Sequence, residues 1–279
     1  MRIANVKGRL TLLGETGGID VERASGGRFA ADPQAIYARW TDFRDWAAGA
    51  AAHGGTPVVE TTLESPAPRP VQVFGIGLNY HDHAAEAGLP LPDRPATFTK
   101  FPTCITGPYA DVVLPTPIVD WEVELVVVIG PEAYRVAEER AWRHVAGVTV
   151  GQDLSERVIQ WGAGGQFSLG KSFPGFGPMG PCLVTPDELA NPDDLELGCK
   201  IGDEVVQKSR TSNMVFSVAQ LIAQLSAILP LLPGDVIFTG TPAGVGGTRK
   251  PPRFLKPGEV LTSWIEGIGT LRNRCVAAS

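Results

Sequence analysis

The chain of 279 residues is 43% hydrophobic and 19% charged, which is long and apolar enough for a sizeable core and excludes a disordered chain. Its net charge is −6, with no Lys/Arg cluster. That argues against a nucleic-acid partner, and an acidic protein that takes an anionic substrate needs local cations or a metal.

The 33 glycines and 24 prolines imply many turns between short elements, and hence a β-rich fold. Cys104, Cys182, Cys199 and Cys275 form no C-x-x-C pair and read as reduced thiols of a cytoplasmic protein. Met1–Val6 lacks the apolar run of a signal peptide, and no stretch of 18 apolar residues predicts a membrane span.

Residues 1–68 read as a small N-terminal domain. Met1–Leu13 predicts a strand and turns ending at Gly14. Asp32-Pro33 then opens a helix, with Asp32 as cap and Pro33 at the first helical position. Ile36, Trp40, Phe43 and Ala47 give it one apolar face, and it should end by His53-Gly54-Gly55. The proline-rich stretch Ser65–Pro70 reads as a linker to a second domain, 71–279.

Beyond the linker, strands are expected at Val71–Ile76, Glu122–Ile129, Val145–Val150, Leu195–Ile201, Glu204–Gln207, Asp235–Thr239 and Val260–Ile265, with a hairpin turn at Gly202-Asp203. Ser217 with Gln220 reads as a capping box for a helix whose apolar face carries Val218, Leu221, Ile222, Leu225 and Ile228. Five to eight strands around few helices predict an α+β, β-rich fold with a barrel-like or rolled mixed sheet. No G-x-G-x-x-G turn supports nucleotide binding.

Glu122 and Glu124 stand two apart in a strand and so project to one side. Two such carboxylates repel unless a proton or cation lies between them; the alternative is an exposed edge-strand face. Asp153 follows Gly151-Gln152 at the end of another buried-type strand and could complete a cluster, or cap the segment after it. Three acids without Cys or His would select Mg²⁺ or Mn²⁺ over Zn²⁺. His83 and Glu86 are i, i+3 neighbours on a short predicted helix, Tyr80–Ala87, either as a carboxylate-oriented general base or as incidental charges on a solvated face. Lys171, among glycines and aromatics, is a candidate oxyanion or carboxylate partner. Gly170-Lys171-Ser172 lacks the earlier glycine of a phosphate loop, and Thr239–Gly246 offers backbone N–H groups to an anion.

Taken in order, Gly75–Tyr80, Phe98-x-Lys100-x-Pro102, Glu122-x-Glu124-Leu125, Gly151-Gln152-Asp153, Gly170-Lys171-Ser172, Pro233–Ile237, Thr239–Gly246 and Ile265–Leu271 resemble the fumarylacetoacetate hydrolase family over about residues 71–276. The resemblance implies a mixed β-sandwich roll and a homodimer. It implies Mg²⁺ or Mn²⁺ on Glu122, Glu124 and Asp153, a catalytic pair His83 and Glu86 on a mobile lid, and an active-site Lys171. It places Arg157, Gln160 and Thr241 near substrate. Many relatives have arginine where this chain has Leu78. The implied reaction is metal-dependent hydrolytic C–C cleavage of an acylpyruvate-type 2,4-dioxo acid; decarboxylation of oxaloacetate, or isomerisation or hydration of a 2-oxo acid, would use the same site.

Overall fold

The structure, a computed structural model, describes residues 1–50, 55–162 and 164–278. The expected helix end at His53-Gly54 lies outside the described residues.

The strand Val123–Ile129 organises the molecule. Its seven residues are all buried, as expected of a β-branched run covered on both faces. It pairs antiparallel with Val145–Gln152 on one side and with Val236–Phe238 on the other. Among the described residues these belong to an eleven-stranded mixed sheet whose main path runs from Gly17–Asp20 to Ala96–Thr99. A five-stranded sheet, Glu204–Arg210, Glu196–Ile201, Val260–Ile265, Gly269–Ala277 and Val112–Leu114, packs against it. The fold is thus an α+β, strand-rich roll with more strands than the five to eight expected.

Side-chain alternation divides the core. Leu125, Val127 and Ile129 join Val148, Leu197, Leu261 and the helix residues Leu221 and Ile222 in one apolar cluster. Val126 and Val128 point the other way, to a cluster with Phe238, Trp40 and Phe43. The second cluster is completed by the N-terminal residues. Arg2–Val6 pairs with Gly177–Val184, so the hairpin Arg2–Val6 and Arg9–Gly14 extends the large sheet. Asp32 caps as expected by accepting from Gln34 N, but Pro33–Arg39 is a 3₁₀ turn that becomes α-helical only over Trp40–Ala50. The proline-rich stretch is not a free linker: Ser65 and Ala67 are buried, and Tyr37 Oη donates to Pro66 O at 2.9 Å.

The capping box at Ser217 and Gln220 forms, and its helix covers Val218–Ser226. Ile228 lies past the helix end and is 77% exposed, because the chain turns toward Pro230, which disfavours helix before it. No helix among the described residues is long and apolar enough to cross a membrane, and all four cysteines are free and buried.

Candidate functional site

Glu122 and Glu124 stand at the mouth of the central strand, where Glu124 pairs across to Gly151 and Val123 to Gln152. A Cβ on Gly151 would lie 2.3 Å from Val126 Cγ2, so only glycine lets the two strands close here. Gln152 fixes the next link, its Oε1 accepting from Glu122 N at 2.8 Å, while Asp153 N donates to Glu122 O at 2.9 Å. Asp153 therefore turns back onto the two glutamates. Carboxylate oxygens of Glu122, Glu124 and Asp153 all lie within 4.8 Å of one another, with all three residues buried.

Three cations sit against this cluster. Lys171 Nζ bridges Glu122 Oε2 and Asp153 Oδ2, both at 2.7 Å. Lys100 Nζ donates to Asp153 Oδ1 at 2.6 Å and to the carbonyls of Lys171 and Phe176. Arg157 Nη1 lies 2.8 Å from Glu122 Oε1. Burial alone would raise the Glu122 pKa, but Lys171 and then Arg157 outweigh it and hold this carboxyl below its usual range. Glu124 differs. It accepts from Gly240 N at 2.8 Å, and burial, followed by the charges of Asp153 and Glu122, pushes its pKa well up. The cluster thus contains a buried carboxylate, Glu124, with no cationic side chain in contact among the described residues. A hard divalent cation among three carboxylates fits that deficit.

Arg157 opens the short helix Arg157–Gly162, whose first turn is held by Glu156 Oε2 accepting from Ile159 N at 2.6 Å. Its guanidinium donates to Asp120 Oδ2 from Nε and Nη2, at 2.9 and 2.6 Å, and to Gln160 Oε1 at 2.8 Å. Burial opposes its charge, but Asp120 and Glu122 prevail and keep it protonated. Lys171 is likewise penalised by burial and held charged by Asp153 and Glu122.

His83 and Glu86 occupy the helix His81–Ala87, which ends at Gly88 in the left-handed conformation. Their Nδ1 and Oε2 atoms are 3.3 Å apart. Gly244 N donates to both Glu86 oxygens at 3.1 Å. The glycine-rich loop does receive anions through its backbone, but these are the protein's own carboxylates. Gly240 N serves Glu124, Gly244 N serves Glu86, and Gly246 and Gly247 N serve Asp120 at 2.7 and 2.8 Å.

His83, Glu122, Arg157, Gln160, Lys171 and Thr241 line one cavity of about 490 Å³. Glu86 backs His83, while Glu124 and Asp153 lie behind Glu122. The Thr241 hydroxyl is engaged internally, donating to Val123 O and accepting from Gln207 Nε2, each at 2.9 Å. Two residues with no role assigned from the sequence belong to the site. Lys100, fully buried, holds Asp153. Asp120 ties Arg157 to the 246–247 loop. The spacing Asp120-x-Glu122-x-Glu124 was the available signal for Asp120. For Lys100, an isolated lysine in Phe98-x-Lys100-x-Pro102, nothing local indicated burial.

The strand-rich roll thus brings a buried all-carboxylate cluster, a bridging lysine and a His–Glu pair to one cavity, the arrangement of an enzyme active site. The family model for the fumarylacetoacetate (FAA) hydrolase C-terminal domain matches residues 72–276, and the chain belongs to that family. It is 46% identical over 223 residues, 79% of this chain and 71% of the other, to bovine mitochondrial oxaloacetate tautomerase FAHD2A. A Mycobacterium smegmatis crystal structure, provisionally named HpcE, superposes over 100% of both chains with TM-score 0.96 and 54% identity. Maleylpyruvate hydrolase from Sphingobium sp. SYK-6, solved with manganese(II) and pyruvate, matches over 100% of both chains with TM-score 0.81 and 27% identity.

Proposed function

We propose that this protein is a divalent-metal-dependent enzyme acting on a 2-oxo acid, and that its reaction is hydrolytic C–C cleavage of an acylpyruvate-type 2,4-dioxo acid. The observation that carries this reading is the convergence of a His–Glu pair, a buried lysine and the edge of a carboxylate triad on one cavity. Glu122, Glu124 and Asp153 would hold Mg²⁺ or Mn²⁺, which as a Lewis acid supplies stabilisation for an enolate.

The remaining work falls to side chains. Glu86 orients the Nδ1 side of His83, which leaves Nε2 to take a proton from water. The resulting hydroxide adds to the C4 carbonyl, the C3–C4 bond breaks, and C3 is then protonated. The products are pyruvate and the carboxylic acid of the acyl group. Lys171 offers a buried positive charge to the electron pair leaving C4. Arg157, fixed by Asp120 and Gln160, orients the substrate's polar end, and Thr241, whose hydroxyl proton goes to Val123 O, shapes the wall beside it. Relatives named oxaloacetate tautomerase favour a second reading, in which the same pair moves a proton between C3 and the 2-oxo oxygen of oxaloacetate without C–C cleavage.

Product analysis separates the two. With metal, stoichiometric pyruvate and carboxylic acid from an acylpyruvate are the expected result. Loss of the oxaloacetate enol without pyruvate release, and no cleavage of any acylpyruvate, would replace hydrolysis by tautomerisation.

A further inference from the structure

The cavity is electrically one-sided. Among the described residues that line it, the titratable groups His83, Glu122, Arg157 and Lys171 belong to the polar end. Both permanent cations there are committed: Lys171 to Glu122 and Asp153, Arg157 to Asp120, Glu122 and Gln160. Apart from the uncharged polar Gln160, Thr241 and Thr248, the rest of the wall is mainly apolar, with Leu78, Leu89, Phe98, Trp161, Phe167 and Phe254 its large side chains.

Three of these residues form an ordered aromatic row. Lys171 Nζ lies 5.1 Å from the Phe98 ring centroid. Phe98 meets Phe167 edge-on at 5.6 Å, and Phe167 meets Trp161 edge-on at 4.8 Å. The row begins at the reactive lysine and ends at the cavity mouth, where Trp161 is 59% exposed. Its root is fixed by a missing side chain, since a Cβ on Gly75 would fall 2.2 Å from the Phe98 ring.

Leu78 faces the same cavity under strain. Its φ is +47°, a conformation that a bulky side chain adopts rarely and at a cost. Asn79 holds the turn in place, donating to Thr239 O and Phe216 O and accepting from Phe216 N. A leucine retained at a left-handed position on a cavity wall is the kind of local conflict that a binding site explains.

We propose that this wall is a selecting pocket for an uncharged, apolar acyl or aryl group on the far side of the 2-oxo acid, with Leu78, Phe98, Phe167 and Trp161 as its specificity residues. The proposal rests on the reading above, in which the 2-oxo acid occupies the polar end. A second carboxylate at the far end would lose its hydration and meet no unpaired cation among the described residues that line the cavity, whereas an alkyl or phenyl group would gain from burial.

The test is binding, read by calorimetry on the Mn²⁺-loaded full chain with compounds that need not be cleaved: pyruvate, 2-oxooctanoate and 2-oxooctanedioate. The expected result is that 2-oxooctanoate binds more tightly than the dicarboxylate of equal length by about tenfold or more. Leu78→Arg should move that preference toward the dicarboxylate. Trp161→Ala, at an exposed position that folding tolerates, should weaken 2-oxooctanoate while leaving pyruvate unchanged. Pyruvate binding with no preference between the long acids, or with the dicarboxylate preferred, would overturn the selecting pocket alone. No binding of pyruvate or of either long acid would overturn the 2-oxo acid reading, and the pocket with it.

Discussion

Lys100 and Asp153 are 0% and 1% exposed and 2.6 Å apart. Lys100→Met leaves Asp153 paired with Lys171 alone and takes the donor from Asp153 Oδ1 and from the carbonyls of Lys171 and Phe176, a loss that typically costs about 1–3 kcal/mol. Chemical denaturation should register a loss of that size. Lys171 is predicted to behave differently because it lines the cavity, which Lys100 does not. Lys171→Met should lower turnover by about 10²–10³-fold, as removal of an oxyanion partner does, while Mn²⁺ binding by calorimetry persists. Asp120 touches no ligand oxygen directly; it acts through Arg157 and the 246–247 loop. Asp120→Asn should therefore cost about 10–100-fold in metal affinity or activity, with the circular dichroism spectrum retained. The triad was legible in the sequence because strand alternation and residue chemistry suffice to place two glutamates together. Lys100 and Asp120 were not assigned roles, because these depend on partners far along the chain: Asp153 for one, and Gly246 with Gly247 for the other.

The helix Arg157–Gly162 and the Lys171 loop depend on close backbone approach. A Cβ on Gly170 would sit 2.4 Å from Gln160 N and 2.8 Å from Glu156 O, both rigid backbone. Gly170→Ala should push the loop off the helix and shift Lys171 and Arg157 together. A fall in activity with a lowered melting temperature is the expected outcome; wild-type values for both would contradict the packing described.

Element legibility followed the same division between local and distant causes. The Ser217 helix and the Val123–Ile129 strand carry their signals within ten residues, as a capping box and a β-branched run. Gly177–Val184 contains Pro178 and Pro181 and has weak strand character. It is a strand because Val145–Gln152 and Arg2–Val6 flank it. Ile228 continues the apolar period of the helix on paper, yet is exposed beyond its end.

Across the whole molecule, the first 50 residues supply both an extension of the large sheet and part of a core. Trp40 and Phe43 share a cluster with Val126, Val128 and Phe238. Deletion of residues 1–68 should leave the Gly177–Val184 edge and that apolar face uncovered, and yield aggregated rather than soluble protein in a fractionation assay. We propose a homodimer as well, on the family resemblance, and sedimentation of the full chain tests it.

A divalent cation at Glu122, Glu124 and Asp153 underlies the whole proposed reaction. The deciding measurement is a calorimetric titration of Mn²⁺ into chelator-treated wild-type protein and into Glu124→Gln. This nearly isosteric change removes the charge of the one triad member that, among the described residues, has no cationic side chain against it. One Mn²⁺ per chain in the wild type, and none in the variant, is the predicted result. Equal binding by both proteins, or binding by neither, would contradict the site.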